Sequence, residues 1–240
     1  MSDGLHRRHA LASFLEEEAA SGRENTGADL EVCPGSGYLN LRGDSNSEQF
    51  MQAAEAALGQ PLPTLANTFT AATHTQRGRT PADNMRGHAL NPSPAPTPSC
   101  TIYWLGPDEW LVVSSLGTEN ETAERLAENL AGQCYSLVDM TGGQVMMRLR
   151  GPRAREVLAR GCTLDLHPRA FKAGRCAQTT LAKTSMLIAL ADNAPTFDII
   201  VRRSFAEYAA RWLRRSGASI HSRESGNPVD KESPYGRHSI

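Results

Sequence analysis

Met147-Arg148-Leu149-Arg150-Gly151-Pro152-Arg153-Ala154-Arg155-Glu156-Val157-Leu158-Ala159-Arg160-Gly161 reads as a strand, a glycine turn, and a helix from Pro152 to Arg160 stopped by a second glycine. Leu166-His167-Pro168 follows it. The same order occurs earlier in the chain. Leu39-Asn40-Leu41-Arg42-Gly43 leads into a helical pattern from Ser47 to Leu58, closed by Gly59 and followed by Pro61-Leu62-Pro63. After the first copy come strand-like runs at Thr101 to Leu105 and Trp110 to Ser114. A helix then opens at Thr118-Glu119-Asn120-Glu121, a capping-box pattern with Leu126 and Leu130 on one face. After the second copy come runs at Ala177 to Ala182, Met186 to Ala191 and Phe197 to Val201. A second capping-box pattern, Ser204-Phe205-Ala206-Glu207, opens the last helix. Strand, helix, strands, helix, written twice, is the split βαβ signature, so the expected fold is α+β with duplicated ferredoxin-like units.

Between the two copies lies Ile102-Tyr103-Trp104-Leu105-Gly106-Pro107-Asp108-Glu109-Trp110-Leu111-Val112-Val113. Gly106 to Glu109 suits a type I turn, because Pro at its second position supplies the fixed φ. The flanks then form a hairpin. With Leu105 opposite Trp110, Tyr103, Leu105, Trp110 and Val112 share one face, and Ile102, Trp104, Leu111 and Val113 share the other. Both faces are apolar, so both require cover: a helical layer, the other half of the chain, or a protein partner.

The 240 residues suffice for one large domain or two small ones with a substantial core. With 25 Lys and Arg against 26 Asp and Glu, the net charge of -1 gives no reason to expect nucleic acid or an anionic membrane. Five scattered cysteines without CxxC spacing argue against a zinc site or a disulfide framework and read as reduced thiols. No apolar run approaches the roughly 20 residues of a membrane helix, and no signal-peptide core is present, so a cytoplasmic location is expected. The expected organisation is an N-terminal extension at 1–30, a domain at 31–217 with a Pro-rich insertion at 71–99, and a disordered tail at 218–240. Ala10 to Ala20 of the extension forms a short amphipathic candidate helix that could dock on the rest.

Gly35-Ser36-Gly37 lacks the third glycine of a dinucleotide loop, and Gly142-Gly143 reads as a hairpin turn. The seven histidines never pair at metal-ligand spacing. Neither Ser204 nor Thr118 sits in a nucleophile elbow. Asp139, before a turn, is expected to accept turn amides. Arg148, Arg150, Arg153, Arg155 and Arg160 form a basic cluster, read as a solvated face or a grip on an acidic partner. Cys176 follows Lys172 and Arg175, cations that would lower a thiol's pKa, although a lone cysteine at a strand start is more often packing. No catalytic, cofactor-binding or metal residue is expected in this chain. The residues marked as partner-interface candidates are Trp104, Leu105, Pro107, Trp110, Arg150 and Arg153.

Four ordered blocks resemble the gamma subunit of heterotetrameric sarcosine oxidase. They are Trp104 to Leu111, Leu149 to Phe171, Gly174 to Thr179, and Pro195 to Asp198 with Val201 to Phe205, within residues 30 to 217. The insertion and the tail depart from the family pattern. The resemblance implies an aminomethyltransferase-like fold and a non-catalytic role in a complex that oxidatively demethylates sarcosine to glycine, forming H2O2 and 5,10-methylenetetrahydrofolate. It implies alpha, beta and delta subunits as partners. FAD, FMN, NAD, tetrahydrofolate and zinc belong to those other subunits. Alternatives are a gamma-like subunit of a related N-methyl amino acid dehydrogenase, or a free-standing folate-binding protein of the aminomethyltransferase superfamily.

Overall fold

The computed structural model describes residues 10–21, 27–33, 36–71 and 100–224, with backbone alone for 18–21 and 218–224. Helix α1 (Ala12–Ser21) is followed by β1 (Asp29–Cys33), β2 (Ser36–Gly43), α2 (Glu48–Leu58), β3 (Phe69–Ala71), β4 (Cys100–Gly106), β5 (Glu109–Ser115) and α3 (Glu119–Asn129). Then come β6 (Tyr135–Asp139), which completes the first sheet, and β7 (Gln144–Arg150), α4 (Ala154–Ala159), β8 (Cys176–Leu181), β9 (Thr184–Asp192), β10 (Thr196–Arg202) and α5 (Ala206–Glu224) of the second copy.

Two five-stranded antiparallel sheets result, ordered β3-β4-β5-β2-β6 and β8-β9-β10-β7-β1. In the first, β2 and β4 run parallel with β5 between them, and in the second β7 and β9 flank β10, so each sheet contains the split βαβ unit. Alternation along each strand divides the core into three layers. Leu39, Leu41, Ile102, Trp110 and Val112 face α2 and α3. Met147, Leu149, Ile188, Phe197 and Ile199 face α4, α5 and also α1, through Leu11 and Phe14. Tyr38, Tyr103, Leu111 and Val113 of the first sheet meet Met146, Leu187, Ala189 and Ile200 of the second. The hairpin's two apolar faces are thus covered by helices on one side and by the other half of the chain on the other.

The two glycines of the repeated Leu-Arg-Gly turn have separate steric reasons. A Cβ on Gly43 would stand 2.2 Å from the Phe50 ring, which plugs the first turn. Gly151 has φ +119°, and a Cβ there would lie 2.6 Å from the Gly27 carbonyl.

The amino-terminal helix docks on the second sheet's helical layer, with Leu11 and Phe14 0% and 2% exposed, and β1 is the last strand of that sheet. Other expectations change. At the other end α5 continues to Glu224, past the boundary at 217. Residues 72–99 of the insertion and 225–240 of the tail lie outside the described residues, as do His6, His9, His74, His88 and His238. Gly142-Gly143 does not turn a hairpin. It links β6 in one sheet to β7 in the other, because β6 pairs with β2 while β7 pairs with β1 and β10. The capping box at Thr118 does not form. The Thr118 hydroxyl donates back to the Ser115 carbonyl at 2.8 Å, and the Glu119 carboxylate accepts the Gly117 N–H at 2.6 Å. Ser47 does cap α2, accepting from the Phe50 N–H at 3.3 Å.

Candidate functional site

The β4–β5 hairpin pairs Trp104 with Trp110, and its register shifts between Trp104 and Gly106, leaving Leu105 as the extra residue of a bulge. This one-residue slip corrects the face assignment. Ile102, Trp110 and Val112 point to the helices, while Tyr103, Leu105, Leu111 and Val113 point between the sheets. Trp110, expected at a partner interface, is wholly buried in this chain. Its ring lies tilted against Phe50 with 5.9 Å between centroids, and its indole N–H donates to the Pro63 carbonyl at 2.9 Å. Trp104 and Leu105 are half-buried and Pro107 is exposed at the turn.

The loop from Pro61 to Thr68 lies against this hairpin and is tied down along its length. Besides the Trp110 bond, the Thr68 hydroxyl donates to the Leu65 carbonyl at 2.6 Å, and the Thr68 carbonyl accepts the Trp104 N–H at 3.1 Å. The second half of the chain also reaches it. The Cys176 N–H donates to the Asn67 carbonyl at 2.9 Å, its thiol to the Thr68 carbonyl at 3.1 Å, and the Gln178 amide to the Leu105 carbonyl at 2.9 Å. The thiol is therefore sealed in, the packing role read as the more frequent one for a lone cysteine at a strand start. Burial pushes it up to about 11, with the Trp104 carbonyl and Arg175 opposing weakly.

Arg150 and Arg153 belong to the other sheet's side. Arg150 forms ion pairs with Glu31 and, at 3.9 Å, with Asp29, holding β1 to β7. Arg153 has 15% of its side chain exposed and pairs with Glu156 at 3.4 Å, while its N–H donates to the Gly27 carbonyl at 3.1 Å. The rest of the basic cluster is also engaged within the chain. Arg155 donates to the carbonyls of Leu166 and Phe171 and lies over the Phe197 ring, and Arg160 donates to the Ser216 carbonyl. Arg148 pairs with the buried Asp198 at 2.7 Å, a bond that raises the guanidinium's pKa further. The solvated face read from sequence is mostly a set of braces.

Sequence reading missed a polar cluster between the sheets. Beside Arg148 and Asp198 lie Cys33, pushed up by burial, and Tyr103, pushed well up by burial and then by the Asp198 charge. The Tyr103 hydroxyl is buried without a hydrogen-bond partner. The strand alternation that could have shown these groups together requires the register of β7 against β10, which sequence does not give. Asp139 accepts the Thr141 N–H at 2.8 Å, the turn role read for it. His167 sits exposed in a turn. Among the described residues no three His, Cys, Asp or Glu side chains converge as metal ligands, and no helix is long and apolar enough to cross a membrane.

A sequence profile of the family "Sarcosine oxidase, gamma subunit" matches residues 95–219, the stretch from the hairpin through most of α5. The chain belongs to this family. A family relative, the sarcosine oxidase subunit gamma of Corynebacterium sp. (strain P-1), is 35% identical over 112 residues, covering 47% of this chain and 54% of that protein. The corresponding subunit of Arthrobacter sp is 34% identical over the same length. The chain thus spans about half the length of the curated relatives it matches. By structure the family likeness extends further. A chain of the heterotetrameric sarcosine oxidase from Corynebacterium sp. U-96, in complex with pyrrole 2-carboxylate, superposes with TM-score 0.69 at 25% identity, over 89% of this chain and 96% of that one. The glycine cleavage system aminomethyltransferase T from Bartonella henselae matches with TM-score 0.54 at 16% identity, covering 78% of this chain and 45% of that one, which places the fold among aminomethyltransferase-like folds.

Proposed function

We propose that the chain is a structural, non-catalytic gamma subunit of a heterotetrameric sarcosine oxidase. The observation that carries this reading is the superposition along 96% of a chain taken from such an enzyme, over both halves of the duplicated fold. In this reading the complex converts sarcosine, O2 and tetrahydrofolate to glycine, H2O2 and 5,10-methylenetetrahydrofolate. FAD, FMN, NAD, tetrahydrofolate and zinc are held by the alpha, beta and delta subunits in the cytoplasm. This chain contributes contact surface. Trp104, Leu105 and Pro107 supply the apolar part of it, and Arg150 supplies a charged rim. The character of its own interior supports a scaffolding role: the buried cysteine is held as a thiol, and the arginines are committed to carboxylates and carbonyls of the same chain.

The test is co-expression with the alpha, beta and delta subunits of the same genome. The chain is expected to elute with them at one-to-one stoichiometry, and its omission is expected to abolish an assembled complex with sarcosine-dependent H2O2 release. Full assembly and turnover without the chain, or elution of the chain apart from the others, overturns the reading.

A further inference from the structure

Neighbouring strands of the second sheet line up a row of side chains on the face turned toward the first sheet. From edge to edge the row reads Glu31, Arg148, Asp198, Ala189 and Cys176. The next row on the same face has Met146, Ile200 and Leu187 at its centre. Aspartate and alanine are shorter than these, so the sheet is shallower along the first row. Tyr103, on the facing sheet, belongs to the same buried layer and is 1% exposed. Its ring packs against Phe69 with 5.4 Å between centroids. A tyrosine hydroxyl lies on the ring axis, so holding the ring also fixes the hydroxyl. That hydroxyl is sealed from solvent and has no partner among the described protein groups. After burial itself, the Asp198 carboxylate does most to raise its pKa. Tyr38, the other tyrosine of this layer, is by contrast bonded to Ser36 and to the Met146 backbone.

We infer that one buried water molecule bridges the Tyr103 hydroxyl to the Asp198 carboxylate, joining the two sheets across their shared core. A buried polar group left without a hydrogen bond is costly, and the interiors of folded proteins meet that need with protein groups or ordered water. Burial excludes bulk solvent and any other protein as the partner of this hydroxyl. The carboxylate side asks for a donor. Asp198 is 6% exposed and takes one bond from the Arg148 Nε at 2.7 Å, while an ionised carboxylate can accept several. Water is the smallest molecule that donates to a carboxylate and bonds a hydroxyl at the same time, and a buried water is held by several polar partners such as these. Cys176, on the far side of Ala189, does not compete, because its thiol is turned to the Thr68 carbonyl at 3.1 Å. The bridge concerns the interior of this chain alone and stands apart from the subunit reading.

Two measurements on the full chain test it. In a crystal structure that resolves ordered solvent, one water is expected within about 3 Å of both the Tyr103 hydroxyl and an Asp198 carboxylate oxygen. A direct Tyr103–Asp198 hydrogen bond, or no solvent density between the two groups, overturns the bridge. The second measurement is urea unfolding of Tyr103→Phe, which removes the hydroxyl and keeps the ring. A bridged hydroxyl predicts a folding equilibrium constant lower by about fivefold. An unchanged or raised constant overturns the bridge, because deleting a hydroxyl that bonds nothing costs nothing. The same change is then made in an Arg148→Met/Asp198→Leu background, where it is expected to alter the constant by less than about twofold. A fivefold loss there as well shows that the hydroxyl's partner is not Asp198 and also overturns the inference. Should that background fail to fold, the crystal structure of the wild-type chain decides between the outcomes already given.

Discussion

Cys176 carries a thiol with no water beside it, so its charged form is penalised and the folded state holds the proton up to about 11 instead of the ordinary 9.0. The unfolded chain releases that proton near the ordinary value. The thiol's contribution to stability is therefore complete below about pH 9 and is lost as the pH rises through about 11, on the order of 2 kcal/mol across that window. Denaturant unfolding at pH 8 and at pH 10.5 is expected to show wild type losing more stability than Cys176→Ala by an amount of this size. Equal losses would place the alkaline sensitivity in other groups. Sequence offered two cues for this residue, flanking cations that favour activation and the more frequent packing role of a lone cysteine at a strand start, and burial decides for the second. Lys172 and Arg175 precede the thiol, but the strand start turns its side chain inward between the sheets.

At the level of elements, most of the plan was legible. The repeated Leu-Arg-Gly turn fixed both βα units, and the strand runs of the second half agree with β8, β9 and β10 to within a few residues. What failed were details set by a single residue's geometry or by long-range pairing. The bulge at Leu105 moved Trp110 to the helix side, and no local signal distinguishes a bulged hairpin from a regular one in an all-apolar sequence, since either register buries a full set of side chains. The interface candidates divide on this point, with Trp110 a core residue and Trp104 beside the exposed loop. Trp110→Ala is expected to cost about 3–5 kcal/mol in urea unfolding, because it opens a cavity and leaves the Pro63 carbonyl unpaired. Trp104→Ala, removing a half-buried ring, is expected to cost less than half as much. Equal losses would contradict the bulged register.

For the whole molecule, the notable feature is where the second sheet gets its edge. The first half is contiguous, with β6 following α3 and pairing with β2. The second half has no strand after α5 among the described residues, and its corresponding edge is β1, which precedes the first half and is held by a five-residue ladder to β7, with Arg150 paired to Glu31 across it. A fragment covering 140–240 should consequently be poorly folded alone, with its sheet edge and the groove for Phe14 open. Adding a peptide of residues 1–33 in trans is expected to restore cooperative thermal unfolding, and an Arg150→Ala fragment should need more peptide to do so. A fragment that melts cooperatively without the peptide would show that β1 is dispensable.

The pairing of β1 with β7 also sets a schedule for biosynthesis. Strand β1 must wait for a partner about 120 residues later, which at roughly 5–20 residues per second is on the order of 6–24 s. During that interval α1 and β1 have no sheet to join, and the hairpin is complete on one face only. Newly made chains thus offer Leu11, Phe14 and Val32, together with the uncovered sheet side of Tyr103 and Leu111, to holding chaperones before the carboxyl-terminal half closes over them.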